Sequence, residues 1–370
     1  MKEEDLFFTL ALTKVNGVGP IIGKRLIENF GTAKGVFDAS FKELISKRVS
    51  ESLATQIVKK GEFSWAEKEV KLMEQAGVQP LFYQAKEYPY YLRQCEDSPI
   101  LLFAKGNVTA NWASRNVVSI VGTRNPTSRG LDFCTRFMEV AQAYNPIIVS
   151  GLAYGIDICV HKQALAFGLE TFGVLGHGLN RIYPAKHTTI AENMLEKGGL
   201  LTEFAIQSKI DRENFIQRNR LVAGSSQATI VVESAIKGGS MSSIAFANDY
   251  NREVFAVPGR IDDILSQGCN ELIRSHRAQL LSDPVEVIEI LHWNKTKKEH
   301  KVIQPQLFVD LNGEEKKVYS YLAEVQREVI DLIAQNCSLP IYKVSTILLQ
   351  LELQGLVRPL PGKYFECIGE

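Results

Sequence analysis

Between residues 117 and 290 the chain alternates short apolar runs with longer, helix-spaced stretches. The runs are Val117–Val121, Ile147–Ser150, Thr171–Leu175, Leu200–Thr202, Ala228–Val232, Glu253–Val257 and Gln279–Leu281. Each is short and ends in small or turn-forming residues, which predicts strands; the periodic stretches between them predict crossover helices. Such alternation is the pattern of a parallel sheet. The predicted strands end in Gly122-Thr-Arg124, Ser150-Gly151, Gly176-His-Gly178, Thr202-Glu203, Glu233-Ser234, Pro258-Gly259 and Ser282-Asp283. Open α/β sheets bind ligands beyond the carboxyl ends of their strands. Arg124, Ser150, Gly151 and the loops after Leu175 and Val232 are therefore expected along one edge. Ile147–Asp157 is the plainest junction: a strand, a small-residue loop and a helix start, whose outward N–H groups suit a phosphate.

The flanks follow a different rhythm. Residues 1–75 are patterned as helices. Within them Leu12–Gly31 predicts a helix-hairpin-helix, with Gly17 and Gly19 in the turn, Pro20 at the first helical position and Gly31 past the helix end. Lys14, Lys24 and Arg25 could assist phosphate contacts there. Two further strands, Val78–Tyr83 and Ile100–Ala104, are predicted in the segment that leads into the sheet. Over 293–306 periodicity is lost and charge rises, which predicts a linker. Ile341, Val344, Ile347, Leu348 and Leu351 are helix-spaced, and 355–366 suits a two-stranded wing. The expected organisation is a helical domain over 1–75, an α/β domain over 76–292, the linker, and a winged-helix domain over 307–370.

Charge limits the partners. Lys+Arg and Asp+Glu number 42 each, so a nucleic-acid site must come from local placement. Residues 306–370 hold six Lys/Arg against nine Asp/Glu, a net of −3, which favours a protein-facing or intramolecular role for the winged helix over duplex reading. The six cysteines form no C-x-x-C pair, as expected of reduced thiols. Met1-Lys-Glu-Glu-Asp has the wrong charge for a signal peptide, and no apolar run reaches membrane-spanning length. A cytoplasmic protein is expected.

Enzymatic signatures are sparse. There is no P-loop, no G-x-S-x-G elbow and no H-E-x-x-H, and Gly173-Val-Leu-Gly176-His-Gly178 has its glycines out of dinucleotide register. His161 follows Asp157 by four residues, an arrangement more often structural than catalytic. Phosphate-binding features are richer. Arg124 follows a strand end, Arg181 and Lys186 flank Tyr183-Pro184, and Phe215-Ile-Gln-Arg218-Asn219-Arg220 sets an aromatic beside two guanidinium groups. Lys237-Gly-Gly239-Ser240 opens a helix. Cations that follow a backbone, with a ring to take a base, suit single-stranded nucleic acid.

Taken in order, Ser119-Ile-Val-Gly-Thr-Arg124, Val149–Asp157 with His161, Gly178-Leu-Asn-Arg-Ile-Tyr-Pro184, Phe215–Arg220, Val257-Pro-Gly259 and Gly268-Cys-Asn-Glu-Leu-Ile273 resemble the DNA-processing protein A (DprA/Smf) family over residues 85–285. The resemblance implies an α/β fold: an extended Rossmann-like domain between a helix-hairpin-helix (SAM-like) domain and a winged helix. It further implies a homodimer that binds single-stranded DNA, protects incoming DNA and loads the RecA recombinase during natural transformation, without enzymatic activity or a cofactor. By motif match Arg124 would contact phosphate. The backbone of Ser150, Gly151, Leu152, Ala153 and Gly155 would line the pocket. Arg218 and Arg220 would lie beside the strand. Arg181, Lys186, Phe215, Asn219, Lys237, Gly239 and Ser240 complete the expected DNA-binding set.

Three positions depart from the family pattern. Lys186 is one place beyond the usual Tyr-Pro-Lys, Gly238-Gly-Ser-Met-Ser-Ser243 replaces Ser-Gly-Ser-Leu-x-Thr, and His276-Arg277-Ala278 replaces the Gly-Ala that tends to support dimerisation. The rival reading is a phosphoribohydrolase-like nucleotide enzyme on the same scaffold. Its Pro-Gly-Gly-x-Gly-Thr-x-x-Glu becomes Lys237–Ala245, with alanine in place of the catalytic carboxylate.

Overall fold

In the computed structural model, described for residues 3–108, 111–295, 311–360 and 362–368, the chain forms two compact units, Met1–Lys298 and Glu299–Glu370. Six helices open the first unit: α1 (Glu3–Lys14), α2 (Pro20–Phe30), α3 (Ala33–Asp38), α4 (Phe41–Ser46), α5 (Glu51–Lys59) and α6 (Phe63–Ala76). Side-chain caps start several of them: Thr32, Ser40 and Ser50 each accept from a backbone N–H of the first turn. Gly17 and Gly31 take positive φ, at 87° and 81°, which closes the hairpin between α1 and α2 and ends α2.

The sheet follows. β1 (Gln79–Phe82), the short α7 (Tyr90–Arg93) and β2 (Leu101–Gly106) lead into β3 (Val117–Val121), α8 (Ser128–Ala141), β4 (Ile147–Ser150), α9 (Ile156–Ala166), β5 (Thr171–Val174), α10 (Thr188–Met194) and β6 (Gly199–Thr202). Then come α11 (Arg212–Gly224), β7 (Ala228–Val231), α12 (Ser240–Asp249), β8 (Glu253–Ala256), α13 (Ile264–Arg274), β9 (Gln279–Leu280) and α14 (Pro284–Ile290). The nine strands lie in the order β1-β2-β6-β5-β4-β3-β7-β8-β9. From β6 to β9 every pairing is parallel; β2 alone runs against its neighbours. The strand order reverses between β3 and β7, the switch point at which doubly wound sheets take their ligands.

Alternate side chains supply the two faces. Val118, Ile120, Ile148, Ile230 and Phe255 pack beneath α8 and α9, while Val117, Val121, Val149, Phe172, Val174 and Ala256 pack on the other side. That second core continues through Leu101 and Leu201 into Leu10, Leu26 and Phe37 of the first helices. The N-terminal helices thus share one apolar core with the sheet. Of the linker expected over 293–306, residues 296–306 lie outside the described residues. Trp293 is buried 6.4 Å from the Tyr144 ring, as part of the sheet's core.

The second unit is a winged helix: α15 (Gly313–Val325), β10 (Arg327–Val329), α16 (Ile330–Asn336), α17 (Ile341–Leu353), β11 (Val357–Leu360) and β12 (Tyr364–Cys367), with sheet order β10-β12-β11. Val344, Ile347, Leu348 and Leu351 of α17 are buried. Three of its cations are engaged within the unit: Lys343 pairs with Glu314 at 2.7 Å, Arg358 with Glu366 at 2.7 Å, and Arg327 stacks on Tyr364. No helix among the described residues is long and apolar enough to cross a membrane.

Because the first helices and the sheet share a core, Leu26→Ala should cost the whole first unit about 2–5 kcal/mol. Calorimetry should show its melting transition lowered as one. A separate early transition confined to the N-terminal helices would contradict the shared core.

Candidate nucleic-acid interface

The strand ends on either side of the switch point open onto a groove of 880 Å³. Its floor is Gly122, Thr123 and Arg124 after β3 and Ser234 and Ala235 after β7. One wall is α11 and the other is the Lys237–Ser243 turn at the start of α12. Helical spacing explains the α11 wall, since Arg212, Phe215, Ile216 and Asn219 repeat at i, i+3, i+4 and i+7. Four cations line the groove (Arg124, Arg212, Arg218, Lys237) against two carboxylates (Asp157, Asp211), a local excess in a chain of zero net charge. Tyr183, 46% exposed, stands 5.9 Å from the Phe215 ring. A smaller recess adjoins this pair, lined by Leu152, Ala153, Tyr154 and Gly176 as well as Arg124 and Arg218.

Buried polar groups hold the 150–157 loop. Ser150 Oγ donates to the Ile120 carbonyl at 2.6 Å, so its hydroxyl ties β4 to β3 and does not face the groove. The Ala153 N–H donates to Asp157 Oδ2 at 3.4 Å, and the Ile156 N–H donates to the Thr123 carbonyl at 3.1 Å. A Cβ on Gly151 would collide with Arg218 Nη1 and Asp157 Oδ2, and one on Gly155, at φ 81°, would collide with the Thr123–Arg124 backbone. Glycine at these two positions lets the loop lie flat against its neighbours. Burial raises the Asp157 pKa, opposed chiefly by the Arg218 guanidinium. Arg218 itself is buried, with Nη1 donating to the Val174 carbonyl at 2.6 Å.

His161 completes the support. Its Nε2–H donates to the Gly151 carbonyl at 2.5 Å and its Nδ1 faces the Thr171 hydroxyl at 2.7 Å. Burial lowers its pKa to about 4, so the ring is neutral at pH 7. Asp157 and His161 are therefore structural partners of the loop.

One potential anion seat is already filled. Thr127 caps α8, and the Glu233 carboxylate lies across that helix start. It accepts from the Thr127 N–H at 2.9 Å and from Thr127 Oγ1 at 2.5 Å. A Cβ on Gly130 would come within 2.7 Å of the Glu233 carboxyl carbon, so only glycine leaves room for it. The helix after the first parallel strand, where a dinucleotide fold seats pyrophosphate, is thus neutralised by the protein's own carboxylate. By contrast the start of α12 carries no side-chain cap. Gly239 is exposed there beside Lys237, while Ser240 Oγ donates to Ser234 Oγ at 2.8 Å.

The expected residues divide accordingly. Arg124, Ala153, Phe215, Arg218, Asn219, Lys237, Gly239 and Ser240 line the groove, and Leu152 lines the recess beside it. Gly151 and Gly155 shape its loop from behind. Arg220 is a correction. Two residues apart on a helix, it and Arg218 point about 200° apart. Its guanidinium pairs with Glu203 and donates to the Asp97 carbonyl at 2.7 Å. Arg181 and Lys186 also lie outside the groove lining. Arg181 Nε donates to Asn180 Oδ1 at 3.3 Å, and the turn that carries Lys186 directs the neighbouring His187 inward, onto the Leu152 carbonyl at 2.9 Å. Lys24 is likewise turned inward, with Nζ donating to Ser98 Oγ at 2.6 Å. Arg212 and Tyr183 were missed, although the i, i+3 spacing of Arg212 and Phe215 was there to find the first.

A family model described as DNA recombination-mediator protein A matches residues 79–292, and a second, for the DprA winged helix domain, matches 305–363. The chain belongs to this family. The Smf protein of Synechocystis is 30% identical, over 99% of this chain and 100% of that one. Smf of Escherichia coli is 36% identical, over 75% of this chain and 74% of its own length. Among solved structures, Streptococcus pneumoniae DprA superposes with a TM-score of 0.66 at 25% identity, covering 80% of this chain and 100% of that one. Helicobacter pylori DprA, described for its unique single-stranded DNA binding mode, gives 0.53 at 27% identity, covering 59% and 97%.

In this DprA-family chain the loop support is acid-sensitive. The unfolded His161 protonates near pH 6.5 but the folded one only near 4. Its contribution to stability is therefore full above 6.5 and declines as pH falls from 6.5 toward 4. His161→Asn should flatten that decline in urea titrations run from pH 7 to 4. An unchanged pH slope would remove His161 from this role.

Proposed function

We propose that the groove binds single-stranded DNA, with phosphates running along Arg124, Arg212 and Lys237 and the open start of α12, the buried Arg218 adding positive charge from beneath, and bases against Phe215 and Tyr183. The observation that carries this reading is the pairing of a cation-lined groove at the switch point with a neighbouring helix start sealed by Glu233. A polymer of phosphates finds successive partners there, whereas a free dinucleotide is denied its usual pyrophosphate seat. Backbone contacts give affinity without sequence preference, as a protein that handles arbitrary incoming DNA requires. Family membership and the single-stranded DNA binding described for the Helicobacter pylori relative support the same assignment.

On this reading the chain is a cytoplasmic, non-enzymatic DNA-binding protein. It works as a homodimer, shelters incoming single strands and passes them to RecA during natural transformation. The phosphoribohydrolase-like alternative lacks a carboxylate at Ala245, and release of ribose phosphate from a nucleotide would restore it.

Fluorescence anisotropy with labelled oligonucleotides at several salt concentrations tests the assignment. Single strands should bind more tightly than duplex. Arg124→Ala should weaken single-strand binding and reduce the salt slope by about 0.7, one phosphate contact, while Arg220→Gln should leave that slope unchanged. Equal affinity for duplex and single strands, or an Arg124→Ala protein indistinguishable from the parent, would refute it. Stimulation of RecA filament formation on single strands by the full chain tests the finer role.

A further inference from the structure

Among the N-terminal helices, the cations of the first hairpin are largely engaged. Lys24 is bonded to Ser98 and to the Glu96 carbonyl, and Lys14 sits 5.3 Å over the Trp65 ring. The next hairpin is different. From α4 through α5 the chain exposes Lys42, Lys47, Arg48, Lys59 and Lys60; Lys60 sits 5.8 Å over the Phe63 ring, and none of the five has an ion-pair partner among the described residues. Only two carboxylates lie in the same stretch, and Glu43 is engaged in the capping box with Ser40, its Oε2 accepting the Ser40 N–H at 2.7 Å. The apolar sides of both helices are anchored: Leu44, Leu53, Ala54 and Ile57 are buried. Phe41 and Val58, 41% and 45% exposed, stand next to Lys42 and Lys59 in sequence.

Two backbone positions point the same way. Arg48 and Lys60 hold positive φ, 61° and 51°, a conformation that costs a side-chain-bearing residue about 1–2 kcal/mol and that glycine adopts freely. Cations occupy both turns even so. Along nine-residue α5 they span about 13 Å, and the exposed Phe41 ring begins the preceding helix. That is the composition of a phosphate-following surface with a stacking platform.

We propose that the α4–α5 hairpin is a second contact for the DNA strand, separate from the groove, which engages strand extending beyond it. This rests on the single-stranded DNA reading of the groove, and a comparison of oligonucleotide lengths separates the two. In the full-length chain, Lys42→Gln, Lys47→Gln and Lys59→Gln together alter only exposed side chains. An oligonucleotide of about 6 nucleotides, within the range of one small binding site, should bind the triple variant as it binds the parent. One of about 40 nucleotides should bind about tenfold more weakly, with a salt slope lower by about 2, three lost contacts at roughly 0.7 each. Unchanged affinity and slope for the long oligonucleotide overturn the proposal. So does loss of sedimentation with phosphatidylglycerol vesicles while long-oligonucleotide binding is kept, which would assign the patch to an anionic lipid surface. Failure of the parent to bind the short oligonucleotide would count against the groove alone, and the long-oligonucleotide comparison would still decide the hairpin.

Discussion

The Glu233 carboxylate across the first turn of α8 is the constraint from which the site follows. A helix start beside the switch point attracts anions through its free N–H groups and its dipole. Here a side chain from the adjacent strand end meets that demand, fitted over Gly130 and held by both polar atoms of Thr127. Asp157 places a second carboxylate in the first turn of α9, where it accepts from Ala153 of the preceding loop. Two helix starts along the carboxyl edge thereby carry a carboxylate of the protein's own. The exposed Gly239 turn at α12 and the Arg124 guanidinium border the groove without such an internal carboxylate across them, while Arg218 is engaged from beneath with Val174 and Asp157.

Helix α11 links this edge to the rest of the unit. One face supplies Arg212, Phe215, Ile216 and Asn219 to the groove, and Arg218 reaches beneath the 150–157 loop. From the other side Arg220 reaches Glu203 and Asp97, and Asp97 in turn accepts from Tyr250 Oη at 2.7 Å. Lys24 of α2 bonds to Ser98 one residue further on. A cation that resembles a DNA contact in the sequence thus pins the groove helix to the segment preceding β2. Burying Glu203 raises its pKa, and the Arg220 guanidinium offsets that cost.

Most of the architecture was legible in the residues. Each of the seven parallel strands falls within a residue or two of its predicted run; β3 to β8 are covered on both faces and so are apolar along most of their length, while β9 is a short exposed edge strand. The winged helix was legible too, from the spacing of Val344, Ile347, Leu348 and Leu351. Less legible was the shared core: the helical pattern of residues 1–75 suggested a separate domain, yet Leu10 and Leu26 pack in one cluster with Leu101 and Phe172. Periodicity tells which face of a helix is buried, and it is silent on what covers that face.

The site divides along the same line. The order of strand ends, the small-residue turns and the placement of Arg124 and Phe215 on one edge were determined by the sequence, because strand direction and loop chemistry are local. Tertiary structure decided which charges remain for a ligand. Arg218 and Arg220 are two residues apart, chemically identical and both buried, but one lies beneath the groove, against Val174 and Asp157, and the other is turned away from it, against Glu203 and Asp97. Glu233, unremarked as a carboxylate at a strand end, became the group that fills an anion seat. A charged side chain's role depends on partners distant in sequence: Thr127 meets Glu233 across 106 residues, and Arg220 meets Asp97 across 123. Only the folded sheet brings them together.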